Sequence, residues 1–435
     1  MEDNKSSLMP KRHIAIAEAG RGFAAFYVFV FHIIKFTDIK DVLPKETIQY
    51  YIVKTLGTYG HEAVLFFFLL SGFSIHYSSL DRPLNNLQGV IRYFYLRFRR
   101  IYPIYLLAVI LTLLLLYVGY YLYPAQFNHE YKELNAKIIF LNLIFLADRY
   151  YKDGILSRTI PINGPLWSLS YEVLYYLIYP LYWLFNKRYG QAATMIICAI
   201  ISIIAITYSK IIGSNHFTNV LSLYVIWALG ACVAQIFRTG ILEKKYKWHY
   251  ILFIIYLLSQ SVWVLENATY TLGAYYEIIW GLLFFLTMLY FIVASENKIG
   301  KAEKIILALL FILGAVFIDV VSYLIKLTKD ITYFYIKIHI TLIIFLIIGL
   351  INKCNLRVVV RLILIPFEKI GAYSYALYII HYPILFLFYE LLKSYGYHSL
   401  IILCIIPVIM MLAKIIEGDY QIYMKKNLDR VLLGK

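Results

Sequence analysis

The sequence predicts an all-α, polytopic bundle of transmembrane helices, about ten to twelve spans with both termini cytoplasmic, and three observations carry that expectation. Of 435 residues, 62% are hydrophobic and only 15% charged, against roughly 45 to 50% and about 25% in soluble domains. Apolar runs long enough to cross a bilayer, at about 20 residues each, recur from residue 14 to residue 416. One membrane domain over 1–417 therefore accounts for nearly all of the chain, followed by a short basic cytoplasmic tail, 418–435. Most basic residues fall between the runs: with the N-terminus inside, inside segments with the span ends next to them hold 26 Lys and Arg and the outside ones 13, the excess that the positive-inside rule expects.

The spans are placed at about 14–34, 60–78, 101–123, 168–186, 191–212, 219–237, 249–265, 276–294, 304–325, 331–351, 374–393 and 399–416. Two connections stand apart. The inside loop 79–100 carries Arg82, Arg92, Arg97, Arg99 and Arg100, and the outside loop 124–166 is the longest piece outside the spans. Long loops in compact proteins tend to bind or to cover a site. The net charge of +16 follows from topology and needs no nucleic acid. Cys198, Cys232, Cys354 and Cys404 lie in or beside apolar spans without CxxC spacing, so neither a disulfide nor a metal site is expected. The basic start, Met1 to His13, precedes no small-residue cleavage site, so the first span is expected to be retained. No internal repeat is visible.

Ionisable groups inside spans are expensive to bury and mark candidate sites. The first span has Glu18, Arg21 and His32. Arg21 and His32 are eleven residues apart, which is three helical turns plus roughly 20°, so they share a face about 16 Å apart. Glu18 lies on that face and can pair with Arg21. The plain alternative is a structural ion pair and a hydrogen-bonded histidine.

Five ordered blocks resemble a known family, the bacterial acyltransferase family 3 of integral membrane O-acyltransferases. Glu18-Ala19-Gly20-Arg21-Gly22-Phe23-Ala24, running on to Phe31-His32, resembles its opening signature. Gly60-His61-Glu62-Ala63-Val64 running into Ser71-Gly72-Phe73 resembles its second-span motif. Arg97-Phe98-Arg99-Arg100-Ile101-Tyr102-Pro103 resembles its basic entry to the third span. Trp167-Ser168-Leu169-Ser170-Tyr171-Glu172, with Tyr176 and Pro180 after it, and Ser374-Tyr375-Ala376-Leu377-Tyr378 on to His381 and Pro383 resemble two later blocks. Leu65 stands where the family often has an acid, and Glu18 stands where Asp is common.

The resemblance implies an enzyme of the inner (cytoplasmic) membrane. It would move an acyl group, most simply acetyl, from cytosolic acyl-CoA as co-substrate, with no bound cofactor, to a hydroxyl of a cell-surface or lipid-linked carbohydrate. His32 is then the general base or acyl-handling residue, Arg21 orients or stabilises charge, and Glu172 assists at the acceptor side. Arg97, Arg99 and Arg100 are candidates for the donor phosphates, since guanidinium binds phosphate bidentately; an anchor facing anionic lipid is the alternative. Supporting positions are Glu18, His61, Glu62, Ser71, Trp167, Tyr378 and His381. Many relatives carry an appended extracytoplasmic hydrolase-like domain, so this chain is expected to act alone or with a separate extracytoplasmic partner.

Rise per residue sets His32 about 20 Å deep in a core about 30 Å thick, at a depth similar to that of Glu172, His61 and Glu62, with Arg21 nearer the donor. Glu172 also suits the dipole of its own helix, where Ser168 or Ser170 can cap. Ser71-Gly72 reads first as a close-packing pair, and His381 as an interhelical hydrogen bond or a functional group. His76, His339 and His398 match no block and are expected at interfaces. A multi-span transporter or glycan-export partner is the rival reading. A transporter predicts matched, broken spans in two halves, and the sequence has no such symmetry.

Overall fold

The structure, a computed structural model, describes residues 3–37, 39–45, 47–148, 157–239, 274–294, 365–393 and 398–433. The expected spans 249–265, 304–325 and 331–351, with His339, lie outside the described residues. The helices, in chain order, are α1 (Asp3–Lys35), α2 (Ile39–Val42), α3 (Ile48–Leu56), α4 (Gly60–Leu80), α5 (Leu87–Leu122), α6 (Pro124–Glu133), α7 (Ala136–Leu143), α8 (Trp167–Ile211), α9 (His216–Arg238), α10 (Ala274–Ala294), α11 (Ser374–Leu392), α12 (His398–Ile415) and α13 (Gln421–Leu433). Among the described residues, seven helices are long and apolar enough to cross a membrane, and α10 adds the shorter apolar stretch Tyr275–Leu289.

The expected spans 168–186 and 191–212 are continuous as α8 but for one break at Gly190, where φ is 80° and ψ is 170°. Glycine takes that conformation without a steric penalty. Gln191 Nε2 donates to Tyr182 Oη at 2.9 Å, although nine residues of straight helix would separate the two by about 13 Å. The chain therefore folds back at Gly190, and the two halves are separate helical segments.

At the centre, α4 crosses α9 closely. A Cβ on Gly72 would lie 1.9 Å from Trp227 O, and one on Gly230 would lie 1.8 Å from Leu69 O. Small residues let helix backbones meet where burial from water provides no driving force. Around this crossing α1, α8, α10 and α11 complete a core that includes Phe68, Tyr175, Tyr179 and Trp227.

Several expectations need correction. The segment 79–100 is largely helix rather than loop: α5 starts at Leu87, where Asn86 Oδ1 accepts from Gly89 N at 2.8 Å. Arginine stems can lie along a helix while their heads reach polar ground, so charge there does not interrupt the helix. The described parts of 124–166 fold onto the bundle through α6, α7 and a two-residue parallel pair, Ala147–Asp148 with Ser157–Arg158. Asn142 Nδ2 donates to Arg158 O at 3.0 Å, and Tyr105 Oη donates to Asn142 O at 2.8 Å. Asp148 is buried against His216 at 3.2 Å and accepts from Tyr171 Oη at 3.1 Å. His76 is not interfacial but fully buried, with its two ring nitrogens on Tyr179 Oη at 3.1 Å and Gln235 Oε1 at 2.9 Å. An imidazole with both nitrogens satisfied can be buried without an orphaned polar atom.

The tail is also docked. A π-helical turn, Ile416–Tyr420, leads into α13, which packs on α5. Pro103 inside α5 has no N–H and crowds the preceding turn. In that region Arg100 O accepts from Gln421 Nε2 at 2.6 Å, Ile101 O from Tyr375 Oη at 3.2 Å and Pro103 O from Tyr420 Oη at 3.4 Å. This stretch of α5 is thus tied to side chains from α11, the π-helical turn and α13.

Candidate active site

Two neighbouring clusters form between α1, α4, α5, α8 and α11. The first is a cavity of about 70 Å³ whose wall includes Arg21, Ser71, Arg97, Arg100, Glu172 and Tyr378. Three guanidinium groups and the Glu172 carboxylate share that wall, and Glu18 and Glu417 act on Arg21 from outside it. The Nε atoms of Arg21 and Arg97 are buried without a hydrogen-bond partner, and an orphaned buried donor of this kind favours an anionic occupant. Arg97 Nη2 donates to Ser78 Oγ at 3.1 Å, and its guanidinium lies 5.8 Å from the centre of the Tyr93 ring.

Glu172 is held from two sides. Ser71 Oγ donates to Glu172 Oε1 at 2.8 Å, and Tyr176 Oη donates to the same oxygen through a short hydrogen bond. Ser71 and Gly72 therefore divide the work: the glycine permits the crossing with α9, and the serine one position earlier fixes the carboxylate. Tyr176 had no assigned role, although its spacing of four from Glu172 on one helix was the available signal.

The turn feeding α8 is anchored independently. Ile162 has φ 62°, a strained conformation for a β-branched residue. The buried Asn163 beside it donates to Thr112 Oγ1 at 2.9 Å and Ile379 O at 3.1 Å. Gly164–Leu166 then forms one 3-10 turn before Trp167. Neither Ser168 nor Ser170 caps α8 as expected. Ser168 Oγ instead lies 2.8 Å from Tyr378 Oη, and Ser170 Oγ accepts from Ala147 N at 3.3 Å.

The second cluster lies just beyond Tyr378, whose ring is 6.2 Å from that of His381. His381 Nδ1 is 2.9 Å from Leu377 O, His381 Nε2 is 3.0 Å from His32 Nδ1, and His32 Nδ1 is 2.9 Å from Val28 O. With both rings neutral, chemistry fixes the proton positions. A carbonyl can only accept, so His381 carries its proton on Nδ1 and its Nε2 accepts from His32 Nδ1. The lone pair of His32 then resides on Nε2. Phe31 and Tyr382 meet the His32 ring edgewise, each at 4.9 Å between centres.

The structure thus sorts the expected residues into groups. Arg21, Arg97, Arg100, Ser71, Glu172 and Tyr378 line one cavity; His32 and His381, 349 positions apart in sequence, form a pair behind it. Glu172 shares its cavity with the arginines, and His32 does not line that cavity, so the expected meeting of His32 with Glu172 at the acceptor side is not what the structure places together. Arg99 points away: it pairs with Asp429 of α13, which also accepts from Tyr95 Oη at 2.5 Å. Glu18 forms no ion pair with Arg21 among the described residues; its helix face is taken up by backbone packing, with Glu18 O against Gly371. His61 lies 2.5 Å from Glu277 and stacks on Trp167 at 5.7 Å, while Glu62 lies 3.5 Å from Tyr276 Oη. The acid Glu277 at the start of an apolar helix is a signal of the same kind as Glu18, and it was passed over. Leu65, at the position where an acid is common, is fully buried in the core.

A family model described as an acyltransferase domain matches residues 14–301, about two-thirds of the chain. No match was found among curated proteins or among solved structures.

Proposed function

The chain belongs to the family defined by that acyltransferase domain and is a membrane acyltransferase, and from that premise we propose that it transfers an acyl group, most simply acetyl, from acyl-CoA to a hydroxyl of a cell-surface or lipid-linked carbohydrate. The membrane is the cytoplasmic one, and the end of the bundle bearing Arg97, Arg100 and α13 faces the cytosol. The rival reading as a carrier is set aside, because the family is one of acyltransferases.

The observation that carries the proposal is the chain from Leu377 O through His381 to His32, next to a cavity rich in arginine. Arg21, Arg97 and Arg100 hold anionic parts of the donor, and Glu172, fixed by Ser71 and Tyr176, keeps the arginines oriented and partly offsets their mutual repulsion. The thioester arm passes Tyr378 toward His32. There the acceptor hydroxyl attacks the thioester carbonyl while His32 Nε2 takes the hydroxyl proton. The C–O bond forms, the C–S bond breaks, and the proton passes to the departing thiolate to give CoA-SH. Val28 O and His381 Nε2 together keep His32 in the tautomer with a lone pair on Nε2, and His381 orients the ring as a carboxylate does for histidine in a catalytic triad. At about 16 Å along α1 from His32, Arg21 acts on the donor and not on the reacting carbonyl. A separate extracytoplasmic protein would present the acceptor or receive the product.

The test is chemical: membranes with and without the protein are supplied with labelled acetyl-CoA, and surface glycans are compared by mass spectrometry. An acetyl increment that requires the protein supports the proposal. Identical glycans and no transfer of label overturn it. Orientation is checked separately by thiol labelling of a cysteine introduced near Lys152, in the segment taken as outside. Labelling from the cytosolic face would reverse the depth order on which donor and acceptor sides rest.

A further inference from the structure

Arg97 belongs to a second and larger cavity as well. This one, of about 440 Å³, lies between the end of α4 and the start of α5, and its wall includes Arg82, Asn86, Gln88, Arg92, Tyr93 and Arg97. It falls within the range of small-molecule sites, about 300 to 1,000 Å³, whereas the 70 Å³ of the first cavity is room for a few waters or for an extended chain.

The charges in this wall are unbalanced. Its acid, Asp81, is already taken by Arg238 at 2.7 Å. Neither Arg82 nor Arg92 forms an ion pair among the described residues, both are exposed, and the buried Nε of Arg97 lacks a partner. Backbone N–H groups at the start of α5 add positive potential. Asn86 and Gln88 supply amides. Such a set suits a phosphorylated nucleoside: guanidinium groups for the phosphate and amides for base or ribose.

The geometry points to a two-part donor site in which the larger cavity takes the phosphorylated nucleoside end of acyl-CoA, Arg82 and Arg92 bind its 3′-phosphate, and Arg97 stands at the junction where the thin thioester arm enters the smaller cavity. This deepens the function proposed above and rests on it. The sizes of the two cavities match the two parts of the donor, a bulky anionic head and a narrow arm.

The experiment measures dissociation constants of acetyl-CoA and its 3′-dephospho form for the purified full-length protein in discs of uncharged lipid, and for the variant Arg82→Gln/Arg92→Gln. Both arginines are exposed, so the variant is expected to fold. The intact protein should bind the dephospho form about 10-fold to 100-fold more weakly, as expected for lost charge-assisted contacts. The variant should bind acetyl-CoA more weakly by a similar factor and no longer distinguish the two ligands. Equal binding of both ligands by the intact protein, or undiminished discrimination by the variant, overturns the two-part site and leaves the proposed function standing. Failure of the intact protein to bind acetyl-CoA at all overturns the proposed function as well. In discs containing anionic lipid, affinity should be nearly unchanged. Competition by anionic lipid together with no effect of the 3′-phosphate would identify the cavity as a headgroup site and overturn the assignment.

Discussion

Around Arg21 the cavity wall carries three guanidinium groups and Glu172, the carboxylates of Glu18 and Glu417 act on Arg21 from outside that wall, and two buried Nε–H donors lack partners. Three turns along the same helix, His32 Nδ1 has both a carbonyl and a second imidazole within 3.0 Å. One region keeps buried donors that it does not satisfy by itself, and the other is a neutral relay with its proton positions set by the backbone. The difference separates two tasks. A region with surplus donors gains stability when an anion arrives, whereas a region already satisfied can change its proton inventory without rearranging.

The strongest way to break this comparison is at His32. His32→Gln keeps hydrogen-bonding capacity but cannot accept and hold the proton, so transfer should fall by about 10² to 10⁴ with normal protein abundance and normal acetyl-CoA binding. Near-normal transfer would remove His32 from the chemistry and direct attention to the His61–Glu277 pair. Next is His381→Gln, which disturbs the tautomer of His32 but leaves that base in place. A loss on the order of 10² is expected, by analogy with the orienting member of a triad. It should appear in kcat with KM unchanged; a rise in KM alone would make His381 a packing residue.

The arginine region is probed by Arg97→Ala and Arg100→Ala. Each should weaken acetyl-CoA binding by about 1.5 to 3 kcal/mol while leaving acceptor binding intact. Unchanged donor affinity in both would assign these arginines to lipid anchoring. The smallest effect is expected at Arg99→Gln. Its partner Asp429 is 29% exposed and Arg99 itself 25%, so the ion pair contributes at most about 1 kcal/mol. Donor affinity should stay within about twofold, since a change of 0.4 kcal/mol is already a factor of two. A large loss of affinity would show that Arg99 joins its neighbours on the ligand.

Much of this arrangement was legible in the sequence, and what was not has physical causes. Helical periodicity alone placed Arg21 and His32 on one face, and the hydropathy of the apolar runs located the described spans, including both halves of α8. Charge was the misleading signal at α5: five arginines between 82 and 100 suggested a loop, yet arginine is a good helix former and its head reaches polar ground from a helix. Pairing across the bundle left no trace. Nothing in local spacing joins His32 to His381, Glu172 to Ser71, Arg99 to Asp429 or His61 to Glu277, because each pair depends on how whole helices cross. The same blindness sent His76 to an interface, since a histidine matched with Tyr179 and Gln235 is recognisable only once α8 and α9 are in place.

The stretch of α5 around Pro103 has a consequence for biogenesis. Its carbonyls at Arg100, Ile101 and Pro103, and the guanidinium of Arg99, find their partners at Tyr375, Tyr420, Gln421 and Asp429, some 270 to 330 residues later in translation. Helix α5 can therefore enter the membrane early, held by the bonds of Arg97 to Ser78 and of Tyr93 to Tyr176 O, but these further contacts form only after residues 375–429 have left the ribosome. Until then Arg97 and Arg100 stand on a segment without its final support. An assembly order of this kind keeps the arginine-bearing end of the protein incomplete until the histidine pair, whose second member lies on the same late stretch of chain, has also been delivered.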